Sequence, residues 1–104
     1  MKNREFDVII VGAGPAGIFV ALQLARSTKL KILIADKGED ISQRLTGKSL
    51  ISGWGGSGAF SDGKLTFSSR IGGWLGEYLD ESTLTKLMAE VDETYLKFGA
   101  PTKV

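Results

Sequence analysis

The segment from Phe6 to Asp36 constrains the fold of this chain more than any other part of it. A run of β-branched residues, Val8 to Val11, leads without a gap into Gly12-Ala13-Gly14-Pro15-Ala16-Gly17. An unbroken apolar run of this kind is typical of a parallel strand that is buried on both faces. Pro15 suits the first position of a helix, because its φ is fixed and it has no N–H group to leave unpaired. The pattern therefore predicts a strand over 6–11 and a helix that begins at Pro15.

The predicted helix continues to about 26–28 and is apolar around most of its circumference. Such a helix indicates burial against a sheet rather than a position on the solvated surface. A second strand of the buried type is predicted over 31–35, and Asp36 closes it. Residues 37–40 follow as a turn. Strand, helix and strand together predict an α/β fold that is built on a Rossmann-like βαβ unit.

The glycine spacing in this unit is typical of dinucleotide-binding units. Gly12 allows a tight turn out of the strand, and Gly17 lets the helix pack close to it. Gly14 has no side chain, so the backbone at this position can approach a pyrophosphate, which the N-terminal end of the helix attracts. Asp36 is placed to accept hydrogen bonds from ribose hydroxyls. Its charge would repel a 2′-phosphate, which argues against a preference for NADP.

Composition excludes several other classes of function. The chain has 104 residues, enough for one small domain, and contains neither His nor Cys. A serine–histidine triad, thiolate catalysis and Cys-ligated metals are therefore excluded, and we predict no metal site. The formal net charge of +1 comes without a basic stripe, so no nucleic-acid partner is expected. No apolar run is long enough for a signal peptide or a membrane span, so we expect a cytoplasmic protein without a membrane partner.

Most of the fourteen glycines lie in the middle of the chain, between Gly47 and Gly76. The densest stretch, residues 52–64, has no helical or strand period, and aromatic side chains are interleaved with its glycines. We interpret it as an ordered loop rather than a flexible linker. A short strand is predicted over 65–67, and a helical turn around Trp74 to Leu79.

The last predicted element is an amphipathic helix. Asp80 or Ser82 can cap its start, and Gly99 with Pro101 can end it. The apolar residues that recur at helical spacing are Leu84, Leu87, Met88, Val91, Tyr95 and Phe98.

Two motifs resemble known flavoproteins. Asp7 to Gly17 resembles the N-terminus of FAD-dependent oxidoreductases of the glutathione-reductase-like class, in which this unit binds the ADP half of FAD. The block Ser52-Gly53-Trp54-Gly55-Gly56-Ser57-Gly58-Ala59-Phe60-Ser61-Asp62-Gly63-Lys64-Leu65 resembles the glycine-rich motif of a largely uncharacterised family of microbial FAD-dependent dehydrogenases. Tyr95 to Pro101 is similar to a later stretch of the same family.

The resemblance implies FAD as the cofactor and a role for each part of the site. The glycines of the first motif would line the FAD pyrophosphate, and Asp36 would hold the adenosine ribose. The second glycine block would approach the diphosphate or the flavin, with Ser61 and Asp62 orienting it, and Arg44 would contact a phosphate or a ribose. The predicted cofactor-binding residues are Gly12, Ala13, Gly14, Pro15, Ala16, Gly17, Asp36, Lys37, Arg44, Gly55, Gly56, Ser57, Gly58, Ser61 and Asp62.

Members of the resembled family are several times longer than this chain. Residues 1–104 would then be the N-terminal part of an FAD-binding domain, without the substrate domain. We expect exposed apolar surface, which the remainder of the enzyme chain or self-association would cover. We also expect the 104 residues alone to bind FAD weakly or not at all, and not to be catalytic.

No catalytic residue is assigned, because Lys64, Tyr78 and Tyr95 are more typical of surface or packing positions. The alternatives are an NAD-binding or thiazole-biosynthesis-like Rossmann protein, and a stand-alone nucleotide-binding module without catalytic activity.

Overall fold

The structure, a computed structural model, describes residues 4–45 and 50–102. It divides into a first unit that extends to Gly63 and a second unit that begins at Lys64. In chain order the elements are β1 (Val8–Val11), α1 (Pro15–Ser27), β2 (Ile32–Ala35), α2 (Ile41–Arg44), a 3-10 helix over Gly56–Phe60, a 3-10 helix over Leu75–Glu77 and α3 (Glu81–Lys97).

The first unit is built on a βαβ motif. β1 and β2 are parallel neighbours, with Val8 opposite Ile32 and Val11 opposite Ala35. The pairing extends beyond the strands at one end, where the Asp7 carboxylate accepts a hydrogen bond of 2.7 Å from the Lys31 amide. α1 connects the two strands and packs on both. The predicted α/β fold with a Rossmann-like βαβ unit is therefore confirmed.

The two faces of this small sheet are covered unequally. The side chain of Ile10 lies on the α1 side, next to Gly17, and Val8 and Ile10 are half-buried. Ile9 is 60% exposed and Val11 is 87% exposed. The prediction that β1 is buried on both faces is wrong for these two residues, because no described element packs over them. The expected exposed apolar surface is confirmed here.

α1 matches its predicted bounds but not its predicted burial. None of its residues is fully buried, and Val20 is 49% exposed. A two-stranded sheet covers only a narrow stripe of a helix, which leaves the rest of an apolar circumference in contact with solvent. No helix in the described ranges is long and apolar enough to cross a membrane.

Two short elements follow β2 that the sequence analysis does not predict. α2 begins after Asp40, whose carboxylate accepts hydrogen bonds from the Gln43 amide at 3.0 Å and from the Ser42 hydroxyl at 2.7 Å. The 3-10 helix over Gly56–Phe60 lies inside the stretch that the sequence analysis interprets as loop. A helix of five residues is too short to leave a periodicity in the sequence that could reveal it.

The second unit is formed mainly by α3. Asp80 is its N-cap, with its carboxylate accepting a 2.7 Å hydrogen bond from the Thr83 amide. The helix buries Leu84, and Gly99 follows its end with a φ of +98°. The 3-10 helix over Leu75–Glu77 packs on α3, which confirms the predicted helical turn. The predicted strand over 65–67 is wrong: residues 62–68 have no regular structure, and no described strand offers a hydrogen-bonding partner.

Gly17 is the residue in the first unit whose replacement should destabilise the fold most directly. A Cβ atom there would overlap the carbonyl oxygen of Gly12 and lie 3.2 Å from Cγ2 of Ile10. We expect Gly17→Ala to lower the free energy of unfolding by about 1–3 kcal/mol, the usual cost of overpacking. Urea unfolding followed by circular dichroism measures this change.

The matched control is Gly58→Ala, because a Cβ at Gly58 would have no neighbour within 4 Å and its φ is not positive. A Gly17→Ala variant as stable as the Gly58→Ala variant would contradict the close packing of α1 against β1.

Candidate functional site

The first glycine loop, residues 12–17, joins β1 to α1 and uses each of its glycines differently. Gly12 has a φ of +108°, which side-chain-bearing residues rarely adopt. Gly17 is required by the close approach of the helix to the Gly12 carbonyl. Gly14 has ordinary extended torsions, and a Cβ there would meet only the Gly56 Cα, at 4.0 Å. The fold itself therefore requires glycine at 12 and 17 but not at 14.

The N-terminal end of α1 is open to an anion. Pro15 occupies the first turn, and the N-cap Gly14 supplies no side-chain hydrogen bond. The Ile18 amide makes the first helical hydrogen bond, to the Gly14 carbonyl at 3.0 Å. The amides of Ala16 and Gly17 precede this bond, so they have no acceptor within the helix. Together with the positive end of the helix dipole, they form the kind of end that binds phosphate groups.

Asp36 ties the first glycine loop to the end of β2. Its Oδ2 accepts a hydrogen bond from the Ala13 amide at 2.8 Å, and its Oδ1 accepts one from the Gly38 amide at 2.8 Å. These bonds, the one from Ala13 first, hold the pKa of the Asp36 carboxyl below its usual value. The side chain is exposed, as is that of its neighbour Lys37. An ionised carboxylate therefore stands beside the loop, as the ribose prediction requires.

A second glycine loop, residues 52–58, lies directly against the first. The Gly55 amide donates a 2.7 Å hydrogen bond to the Ala13 carbonyl. A Cβ at Gly56 would be 3.1 Å from the Gly14 Cα and 3.5 Å from Cδ of Pro15. Both glycines also have positive φ, +88° at Gly55 and +64° at Gly56. The two predicted glycine motifs, separated by the whole of α1 and β2, thus meet at one place.

Sequence reasoning missed a second contact between these segments, at Gly38 and Gly53. A Cβ at Gly38 would overlap the Gly53 amide nitrogen, and the Trp54 amide donates a 3.0 Å hydrogen bond to the Glu39 carbonyl. The sequence pattern predicts only a turn at Gly38. Its position two residues after Asp36, at the end of β2, is the signal that could have identified it. Local spacing in the sequence does not reveal its partner, because Gly53 is fifteen residues further along the chain.

Arg44 is placed differently from the prediction. The resemblance implies that it contacts a phosphate or a ribose, but it is buried, with 2% of its surface exposed. Its guanidinium donates hydrogen bonds to the carbonyls of Trp54, Gly56 and Leu50. The cationic group is therefore directed at the backbone of the second loop and away from solvent, since these carbonyls surround it.

The remaining predicted residues lie at the exposed end of the second loop. Ser57 and Gly58 are exposed members of the 3-10 helix, and Ser61 ends it, with its amide donating to the Gly58 carbonyl at 3.2 Å. Asp62 follows, exposed and outside regular structure. Across the described ranges there is no cluster of three or more His, Cys, Asp or Glu residues that could hold a metal ion.

The two hydrogen bonds to Asp36 make a testable contribution to stability. Because the pKa of Asp36 is lowered in the folded protein, this contribution is complete above the ordinary Asp pKa of about 3.9. It is lost as pH falls through the lower pKa of the folded state. We therefore expect the difference in unfolding free energy between wild type and Asp36→Asn to be constant near neutral pH and to shrink below about pH 4.

Urea unfolding at a series of pH values measures this difference. Asp40 and Asp80 also have lowered pKa values, but both are present in the two proteins, so their effects cancel. A difference that stays the same throughout acid titration would contradict the role given to Asp36.

Comparisons with known proteins agree with this geometry. The chain is 45% identical over 71 residues to an uncharacterised protein of Clostridium beijerinckii, an alignment that covers 56% of this chain and 13% of that protein. It is 50% identical over 37 residues to an uncharacterised protein of Methanosarcina barkeri, covering 36% of this chain and 9% of that protein. The chain thus matches only a small part of either relative, and no solved structure matches it significantly.

A family model described as an NAD(P)-binding Rossmann-like domain matches residues 10–82, which is more than half of the chain. The match begins in β1 and takes in both glycine loops and Asp36. The chain therefore belongs to the NAD(P)-binding Rossmann-like domain family, a dinucleotide-binding family of the oxidoreductase type.

Proposed function

We propose that this chain is the FAD-binding portion of a flavoprotein oxidoreductase and that it holds the ADP and pyrophosphate part of the cofactor. The observation that carries the proposal is the hydrogen bond between the Gly55 amide and the Ala13 carbonyl, 2.7 Å long. It brings a second glycine-rich backbone against the phosphate-binding loop of a Rossmann unit. Two bare backbone segments side by side form a surface that a long, flat dinucleotide can approach closely.

The diphosphate would lie at the N-terminal end of α1. The amides of Ala16 and Gly17 are available as donors there, and the extended, side-chain-free Gly14 leaves room for the phosphate oxygens. Nothing in the fold demands glycine at position 14, which is what a residue kept small for a ligand would show. The positive end of the helix dipole adds to this attraction.

The adenosine ribose would lie at Asp36. A carboxylate has about four lone-pair positions, and the Ala13 and Gly38 amides use one on each oxygen. The remaining positions can accept the ribose hydroxyls. The same negative charge opposes a 2′-phosphate, so NADP is disfavoured. Lys37, exposed next to Asp36, stays a predicted contact of this end of the cofactor.

The second glycine loop favours FAD over NAD. In a simple NAD domain the chain after the second strand proceeds to a third strand–helix unit, whereas here it returns to the first loop and forms the 3-10 helix over Gly56–Phe60. Gly55, Gly56 and Gly58 leave the backbone accessible to the diphosphate or the flavin, and Ser57, Ser61 and Asp62 supply polar groups at the exposed end. Bound FAD would supply the hydride chemistry, while these residues bind and orient it.

NAD is the second candidate, because the matching family is described as NAD(P)-binding. Calorimetric titration of the purified protein with FAD, NAD⁺ and NADP⁺ decides between them. We expect FAD to bind most tightly, by about tenfold over NAD⁺, because only FAD extends its flavin along the second loop. NADP⁺ should bind most weakly, owing to Asp36. Tighter binding of NAD⁺ than of FAD would establish the alternative and contradict the FAD proposal.

A paired substitution assigns the binding to the first loop. Gly14→Ala should fold normally, since its Cβ has 4.0 Å of clearance, yet it should lower FAD affinity because the methyl group occupies the approach to the diphosphate. Gly76→Ala, whose Cβ would have no neighbour within 4 Å, is the control in the second unit. Unchanged FAD affinity in Gly14→Ala would remove the first loop from the site.

A further inference from the structure

Arg44 is the one buried charged side chain in the part of the chain that the structure describes. It stands at the end of α2, a helix of only one turn, and it reaches across to the second glycine loop. Burying a cation is unfavourable unless its N–H groups find acceptors. The acceptors around Arg44 therefore decide what its burial does for the fold.

Three backbone carbonyls converge on the Arg44 guanidinium. Nη1 donates to the carbonyl of Trp54 at 2.6 Å and to that of Gly56 at 2.8 Å, and Nη2 donates to that of Leu50 at 3.1 Å. The guanidinium carbon also lies 4.9 Å from the centre of the Phe60 ring, a cation–π distance. One planar side chain thus contacts both ends and the middle of the segment from 50 to 60.

Two backbone hydrogen bonds also hold the second glycine loop, from the Trp54 amide to the Glu39 carbonyl and from the Gly55 amide to the Ala13 carbonyl. A run of glycines has no side chains to pack, and its backbone loses much conformational freedom on ordering. The loop also makes room for the arginine, because a Cβ at Gly53 would lie 2.6 Å from Cδ of Arg44. Because Gly53 has no side chain, it leaves room for the aliphatic part of Arg44. The guanidinium then binds the carbonyls of Leu50 and Trp54, on either side of Gly53.

We propose that Arg44 is a positioning residue of the cofactor site, which holds the second glycine loop against the first without touching the cofactor. Gly56 connects Arg44 to the first loop. Its carbonyl accepts a hydrogen bond from Arg44, and its Cα faces Gly14 where the two loops meet. The part of this inference that concerns cofactor affinity rests on the proposed function. The part that concerns loop order does not.

Arg44→Lys tests the inference, because lysine keeps the charge but lacks the planar fork that reaches several carbonyls at once. Trp54 lies in the loop and reports its order, provided that Trp74 is replaced by Phe in all proteins. We expect quenching of Trp54 fluorescence by acrylamide to rise by about twofold in Arg44→Lys, as the loop loosens. Affinity for FAD should fall by about tenfold, since a displaced loop no longer meets the ligand.

Arg26→Lys is the matched control, because Arg26 is exposed on α1 in the same unit. It should change neither the quenching of Trp54 nor the affinity for FAD. A loss of FAD affinity with unchanged Trp54 quenching would overturn the inference, since Arg44 would then act on the ligand itself. Increased quenching with unchanged affinity would overturn it as well, because the loop would lie outside the site.

Phe60→Leu keeps the inference testable if Arg44→Lys does not fold. It removes the ring beside the guanidinium but leaves all three carbonyl acceptors, so both readings should move in the same direction by a smaller amount. No change in either would overturn the inference. A wild-type protein that binds NAD⁺ more tightly than FAD would contradict the proposed function, and the quenching comparison would still decide whether Arg44 holds the loop.

Discussion

The close approach of two glycine-rich backbones, at Gly14 and Gly56, is the constraint on which the rest of this site depends. A Cβ at Gly56 would come within 3.1 Å of the Gly14 Cα, so the loops can approach this closely only if position 56 carries no side chain. Their hydrogen bond from Gly55 to Ala13 then joins the turn at the start of α1 to a second, distant chain segment. The βαβ unit serves to present this junction at the carboxyl ends of its strands, where α/β folds bind their ligands.

Two charged side chains keep the junction in place, and both act on backbone groups. Asp36 accepts from the Ala13 and Gly38 amides, whereas Arg44 donates to two carbonyls of the second loop and to that of Leu50, just before it. A carboxylate accepts hydrogen bonds from N–H groups, and a guanidinium donates them to C=O groups. Asp36 therefore pairs backbone donors near the first loop, and Arg44 pairs backbone acceptors of the second loop. Hydrogen bonds to ionised groups are stronger than those between neutral groups, which suits a site that has few side chains to pack.

Local features of the sequence predict the elements that depend on local interactions. The glycine spacing and apolar runs of residues 6–36 locate β1, α1 and β2 within two residues, and the Asp80 cap locates the start of α3. Features that depend on distant contacts were missed or misjudged. The predicted strand over 65–67 has no described strand to pair with, and the exposure of Val11 depends on what covers the sheet. The packing of Gly38 on Gly53 joins two segments whose separation along the chain follows no known motif.

The direction of the Arg44 side chain also depends on contacts that local spacing does not reveal. Its position after β2 suggests a ligand contact, but its direction is decided by carbonyls of residues six to twelve positions further along the chain. Local spacing identifies an arginine near the site and cannot say whether it faces the ligand or the loop, because both choices are compatible with the same sequence pattern.

The central claim is that the two glycine loops form one binding surface for the diphosphate of a dinucleotide. A titration of the ¹⁵N-labelled protein with FAD, followed by the amide chemical shifts of both loops, tests it most directly. The amides of Ala16 and Gly17 in the first loop and those of Gly55 to Gly58 in the second should shift together, with one common affinity. Shifts confined to residues 12–17, with the second loop unchanged at saturation, would contradict the account.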